Sequence, residues 1–212
     1  MLRKSPKVLF VDWHKTLSHS FFWSQLSDKN HPYNNYHQII DQWLFKKNST
    51  LVEKWMLGFF TAEQICQKIS VENNLNEKII YYTLKESCEN MQLCSKEIIG
   101  IINKLRKTGI KVIIATDNMD TFRRFTIKKL GLDKIFDDFL ISSELQTLKY
   151  NISNNTMPFF DTFLKENQLQ YSDAVLLDDS EEKSGVYKKL GFEISLIKNN
   201  DMLINHLKSF FI

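Results

Sequence analysis

Only six glycines and three prolines occur in this chain of 212 residues. Helix and strand breakers are therefore rare, and most of the chain is expected in regular structure, with helices dominating. Long apolar runs are missing as well. None approaches the roughly 18 residues of a membrane-spanning helix, and the apolar stretch before Asp12 is too short for a signal peptide. Cysteine is limited to Cys66, Cys88 and Cys94, an odd count without close metal spacing. These read as buried or reduced thiols rather than a disulfide or zinc set. No charge of one sign prevails. With 28 basic against 25 acidic residues the net charge is +3, too near balance to point to nucleic acid. The expectation is a soluble, cytoplasmic protein with no nucleic-acid or membrane partner.

What is present is ordinary globular material: 43% hydrophobic and 25% charged residues. A chain of this length buries about 70% of its unfolded surface, so no disulfide or metal is needed for a core. Five short apolar runs stand out: Val8–Val11, Val112–Ala115, Phe139–Ile141, Ala174–Leu177 and Ile194–Ile197. Continuous apolar runs of this length fit strands buried on both faces, as in a parallel sheet. Between them lie amphipathic stretches. Lys96–Thr108, Met119–Leu130 and Glu181–Leu190 each end just before a glycine, where a helix C-terminus favours a left-handed residue. Strand and helix alternation predicts an α/β fold, a Rossmann-like three-layer core with a parallel sheet. Residues 18–95 differ. They are rich in Phe and Trp, carry helical periodicity at Ile39, Ile40, Trp43 and Leu44, at Ile65 and Ile69, and at Ile79, Ile80 and Leu84, and show no strand. The chain thus divides into a core of residues 1–17 and 96–212, split by a helical insert of residues 18–95.

In an open α/β sheet, ligands bind beyond the carboxyl ends of the strands. The residues that follow the runs are therefore the candidates. They are Asp12-Trp13-His14-Lys15-Thr16 after the first, Thr116-Asp117-Asn118 after the second, Ser142-Ser143-Glu144 and then Lys149 after the third, and Asp178-Asp179-Ser180 after the fourth. A carboxylate can attack phosphorus to give an acyl phosphate. An oxygen-only site with several carboxylates suits Mg²⁺. A hydroxyl beside backbone N–H groups cradles phosphoryl oxygens, and a lysine neutralises charge on the transferring group.

In order and spacing these residues resemble the haloacid dehalogenase (HAD) superfamily of aspartate-nucleophile phosphohydrolases. VLFVDWHKTL corresponds to the family's apolar strand ending in DxDxT. VIIAT, SSELQTLK and AVLLDDSEEKSGVYKKLG correspond to its second, third and fourth motifs. The stretch between the first two motifs, with a GxxT at Gly58–Thr61, resembles the family's helical cap. The resemblance covers nearly the whole chain. It implies Asp12 as nucleophile and Mg²⁺ ligand, the backbone carbonyl of His14 as a second ligand, and Asp179, supported by Asp178, as the acidic ligands. It also implies that Thr116 holds the phosphoryl group with Asp117 and Asn118 beside it, and that Lys149 neutralises charge. The implied activity is a Mg²⁺-dependent phosphatase acting on a small phosphorylated metabolite, as monomer or homodimer.

The chain departs from that pattern in three places. His14 stands where phosphatases of the family have a second Asp; an imidazole, with a reference pKa of about 6.5, can carry protons, but a nearby cation disfavours its charged form. Lys15 replaces a usual Gly, and after Lys149 the stretch YNISNNTM precedes Pro158, which reads as a loop insertion. Between Lys149 and Pro158 there is no other basic residue, and Lys165 lies too far along. These departures leave two alternatives: a binding or regulatory member that does not turn over, and a dehalogenase using Asp12. Of the remaining residues, His19, Phe21, Phe22 and Trp23 are placed to line the entrance between core and insert, with packing of the insert the favoured reading for the three aromatics. His31, His37 and His206 read as surface or helix positions. Arg123, Arg124, Lys128 and Lys129 read as the solvated face of an amphipathic helix.

Overall fold

The structure is a computed structural model, and it describes residues 5–211. Five strands form one fully parallel sheet: β1 (Val8–Val11), β2 (Lys111–Thr116), β3 (Asp138–Ile141), β4 (Ala174–Asp178) and β5 (Glu193–Leu196), in the order β3-β2-β1-β4-β5. Each of the five apolar runs lies on one of these strands. Their side chains alternate between two cores, as the period of two in a strand requires. Leu9, Val11, Val112, Ile114, Ile141, Val175 and Leu177 face one side, and Val8, Phe10, Ile113, Ala115, Leu140 and Leu176 face the other. Both faces are covered, which gives the three-layer α/β architecture.

The helical insert supplies α1 (Asn34–Ile40), which runs on into a π-helical stretch Asp41–Lys47, then α2 (Ser49–Met56), α3 (Ala62–Asn73) and α4 (Glu77–Glu89). Thr61 closes a capping box with Gln64 at the start of α3, so the GxxT segment is a helix N-terminus. The amphipathic stretch before the second run is α5 (Glu97–Lys107). After β2 comes a π-helical stretch Phe122–Ile127 that runs into α6 (Lys128–Leu130), and after β3 a short α7 (Ser142–Leu145). The outer helices α8 (Pro158–Glu166), α9 (Val186–Lys189) and α10 (Asn200–Ser209) complete the chain.

One helix is much shorter than its sequence pattern. The stretch Glu181–Leu190 forms helix only over Val186–Lys189. Gly185, at φ +72°, is left-handed and stops the helix from growing backwards through the polar residues before it. The insertion after Lys149 is also resolved. Ser153 and Thr156 pair across Asn154 and Asn155, both at positive φ, in a tight two-residue turn. Asparagine is among the residues that tolerate that backbone best. Lys15 is left-handed too, at φ 61°, where the resembled motif has glycine.

Candidate active site

Asp12 follows β1, the central strand, at the point where the chain order reverses across the sheet. Its backbone N–H donates to the carbonyl of Leu177 on β4, fixing it beside Asp178. Both carboxylates are buried, and Lys149 lies between them. Its Nζ donates to Asp12 Oδ1 and Asp178 Oδ2 at 2.5 Å each. The insertion loop leaves Lys149 in place because its backbone is held on two sides. Its N–H donates to Asp117 Oδ1 at 2.9 Å, and the Tyr187 hydroxyl donates to its carbonyl. Tyr150 donates to the Ser180 carbonyl at 3.0 Å, and Ser180 N–H to Asp178 Oδ1 at 2.8 Å. The strand-end residues from four parts of the chain are therefore brought to one rim.

Burial governs the electrostatics of this rim. It pushes the Asp12 carboxyl up against the opposing pull of Lys149, to about 7. Burial works against the Lys149 ammonium, but Asp12, Asp178 and Asp117 outweigh it and hold its pKa above the usual range. Asp117 is raised by burial, partly offset by Lys149. His14 is lowered, first by burial and then by Lys15, so its imidazole is neutral at pH 7.

Asp12, Asp178 and Asp179 each offer a carboxylate oxygen within 4.8 Å of the others. This all-oxygen set fits Mg²⁺, which binds through one or two carboxylates, waters and substrate phosphate. The balance of charge points the same way. Asp12, Asp117, Asp178 and Asp179 outnumber the one ammonium, Lys149, that lies between Asp12 and Asp178. Asp178 is the deeper of the pair and Asp179 the more exposed. The His14 imidazole is not part of the cluster. Thr116, at the end of β2, is buried, and its Oγ1 has no hydrogen-bond partner among the described residues. An unpaired buried hydroxyl is an unfilled donor. Asn118 is turned back into the fold: its Oδ1 accepts from the Met119 N–H at 2.9 Å, and its N–H donates to Ser142 Oγ at 2.9 Å.

Beside this polar rim opens a small cleft of about 160 Å³. Trp13, His14, Asp117 and Asn118 border it on the core side, and Phe21, Phe45, Val52 and Met56 come from the insert. Phe21 is more than a packing residue: it is 39% exposed and lies 5.0 Å, ring to ring, from Phe45. Phe22 and Trp23 fill the interior of the insert, as their sequence reading held.

The insert is fastened to the core by residues that composition did not flag. Ser142 Oγ donates to the Met56 carbonyl at 2.7 Å. Gly58, at φ +76°, lies so close to the core that a Cβ would meet the Ser143 carbonyl oxygen at 2.2 Å. Asp120 accepts from the Trp55 indole N–H at 2.8 Å, from the Ala62 N–H at 3.2 Å and from Arg124 at 2.6 Å. Arg124 also grips Glu63 through both its terminal nitrogens. Arg123 and Arg124 remain partly exposed, in keeping with a solvated face, and both are also ion-paired. Arg124 joins the helix after β2 to α3, and Arg123 pairs with Glu144 at 2.7 Å while lying over the Phe139 ring. Asp120 lies one helical turn before Arg124, but Glu63 and Glu144 come from distant sequence, where helical periodicity carries no information.

The Arg124 clamp has a pH signature. Its hydrogen bonds hold the Glu63 carboxyl down, from 4.5 to about 2. A depressed carboxyl contributes stability that is present above pH 4.5 and lost as pH falls toward 2. Glu63→Gln is expected to flatten the fall in melting temperature between pH 4.5 and 2.5 relative to the parent, with a small difference at pH 7 because the pair is largely exposed. Equal acid slopes in the two proteins would remove the clamp from the account.

No family model and no curated protein matches the sequence. Solved structures do match its fold. A HAD family enzyme from Bacteroides thetaiotaomicron, in complex with magnesium and inorganic phosphate, is 16% identical, with a TM-score of 0.66 over 92% of this chain and 96% of that one. A predicted HAD-like family hydrolase from Porphyromonas gingivalis gives 15% and 0.70 over 97% of both chains. An L-2-haloacid dehalogenase from Xanthobacter autotrophicus, with chloropropionic acid covalently bound, gives 11% and 0.60 over 96% and 83%. The chain has the fold of the HAD superfamily hydrolases. No helix among the described residues is long and apolar enough to cross a membrane.

Proposed function

We propose that this protein is a Mg²⁺-dependent phosphatase that hydrolyses a small phosphorylated metabolite through an aspartyl phosphate on Asp12. The observation that carries the reading is the buried Lys149 ammonium between Asp12 and Asp178, with Asp179 completing an oxygen cluster of metal-binding dimensions. The magnesium and phosphate held by the Bacteroides enzyme of the same fold support it. A Mg²⁺ ion held by Asp12, Asp178, Asp179 and the His14 carbonyl would keep Asp12 ionised and offset phosphate charge.

The chain's own residues then do the following. Lys149 binds Asp12 Oδ1 and leaves Oδ2 to attack phosphorus, so that an O–P bond forms as the ester O–P bond breaks. Thr116 Oγ1 and Lys149 stabilise the charge on the phosphoryl oxygens. Water then attacks the acyl phosphate, releasing inorganic phosphate and restoring Asp12. His14, held neutral, takes the proton from that water. It is a poor acid for the first step, so the departing alkoxide takes its proton from solvent. Residues 18–95 act as a cap over the site. Substrate is a small molecule, the protein works in the cytoplasm, and neither nucleic acid nor membrane takes part.

The test is phosphate release from a panel of phosphate monoesters, with and without Mg²⁺. Release that depends on Mg²⁺ and is lost in Asp179→Ala is the expected result. Tight phosphate binding without release would favour a non-hydrolysing, regulatory member, which the replacement of an acid by His14 would explain. Chloride release from 2-chloropropionate without Mg²⁺ would favour the dehalogenase reading, for which the Xanthobacter structure is the support.

A further inference from the structure

We propose that the cleft beside Asp12 selects phosphate esters of one small, apolar alcohol, of about the size of a benzyl or short branched alkyl group, over sugar and polyol phosphates. This rests on the phosphatase reading and names its substrate class. Outside the strand ends the cleft is lined mainly by Phe21, Phe22, Phe45, Val52, Met56 and Met91, with Ser20, whose hydroxyl already accepts from the Gln92 N–H at 3.1 Å, at its edge. Apart from Ser20, none of these carries a hydrogen-bonding side chain beyond a thioether. The other polar side chains, His14, Asp117 and Asn118, lie at the core side, next to the rim that holds Asp12 and Lys149. The cleft is therefore polar at one end and apolar at the other. That arrangement matches a molecule with a charged phosphate and an apolar remainder.

The size is equally restrictive. About 160 Å³ is close to the roughly 150 Å³ of an apolar cavity that takes up benzene. A six-carbon ring with its linking carbon fills it, and a fused bicyclic group would extend past the walls into solvent. The aromatic walls are packed against one another and do not stand free. Phe21 meets Phe22 at 5.6 Å and Phe45 at 5.0 Å, and Phe22 meets Trp55 at 5.9 Å. Trp55 is in turn fixed by Asp120. The attachment of Met56 to Ser142 and of Gly58 to the Ser143 backbone holds the α2 wall in place. The pocket is thus preformed, and a larger group cannot simply push the wall aside. A polyol placed here would bury hydroxyls with no partner on the apolar walls, which costs about tenfold in affinity for each.

The covalent step is that of the phosphatase reading. The O–P bond to Asp12 forms, the P–O bond to the alcohol breaks, and the alkoxide takes its proton from solvent as it leaves.

The experiment compares kcat/KM for benzyl phosphate and glycerol 3-phosphate, whose alcohols are of similar acidity, together with naphthylmethyl phosphate and acetyl phosphate. Acetyl phosphate has almost no leaving group to place, so it reports on phosphoryl transfer itself. The expected result is a preference for benzyl over glycerol phosphate of at least a hundredfold, with naphthylmethyl phosphate at least tenfold below benzyl. Val52→Phe, which fills the cleft from α2, is expected to lower the benzyl-to-acetyl ratio at least tenfold. Turnover of acetyl phosphate with equal or better use of glycerol 3-phosphate would overturn the selectivity and leave the phosphatase intact. Silence with all four, acetyl phosphate included, would overturn both.

Discussion

Asp12→Asn is expected to lower phosphate release at least a thousandfold, about 4 kcal/mol in the barrier, while leaving a folded protein. The amide matches the carboxylate in shape but is a far poorer nucleophile and carries no charge to hold a metal. The fold survives because the site already penalises a charge at this position: burial raises the Asp12 carboxyl to about 7. The same fact gives the prediction a second readout. A carboxyl whose folded pKa is raised binds its proton more tightly in the folded state than in the unfolded chain. Its stabilising contribution is fully present below the ordinary value of 3.8 and is lost as pH rises through about 7. Metal-free parent protein should therefore lose melting temperature between pH 5 and pH 8 relative to Asp12→Asn. Addition of Mg²⁺ should remove the difference by favouring the charged form. Turnover of the asparagine variant within tenfold of the parent would remove Asp12 as the nucleophile.

Lys149→Met carries the other large effect, and here activity and stability fall together. The methionine fills the space of the lysine stem, but Asp12 and Asp178 are left buried with no opposing charge. Breaking one partner out of a buried ion cluster costs about 3–5 kcal/mol. For a chain of this size that is a loss of roughly 10 °C in melting temperature. Phosphate release should fall below detection, because nothing on the chain then offsets charge on the nucleophile and the phosphoryl oxygens. A second change separates the two effects. Lys149→Met with Asp178→Asn removes one of the two stranded carboxylates, so it should recover a measurable part of the stability and none of the activity. A single variant as stable as the parent in urea would show that the ammonium does not bridge the two carboxylates.

The two predictions draw on different kinds of information. That Asp12 matters is readable from its place after an apolar run, because ligand sites of parallel sheets lie where strands end. The same holds for Thr116 and for Asp178-Asp179. Lys149 sits eight residues beyond the end of β3, past a short helix. In sequence it could be singled out through the resemblance and by the lack of another basic residue nearby. What fixes it is a set of long-range bonds: Asp117 to its N–H, Tyr187 to its carbonyl, and two carboxylates to its ammonium. Tyr187 carries no such mark in sequence: it is one aromatic in the amphipathic stretch Glu181–Leu190, and its hydroxyl finds the Lys149 carbonyl only in the fold.

Local pattern alone thus determined the five strands, the layers around them and the residues at the strand ends. Each of these depends on periodicity and on glycine at helix termini, which act over a few residues. Tertiary structure decided the rest. It made Arg124, a partly exposed cation, the clamp between α3 and the helix after β2, and cut the helix after β4 to Val186–Lys189. It also made a benzene-sized cleft from Phe21, Phe45 and Val52, residues that in sequence are simply apolar. Charge pairing, cleft volume and wall composition are properties of chain segments brought together from far apart, and no local preference encodes which segments will meet.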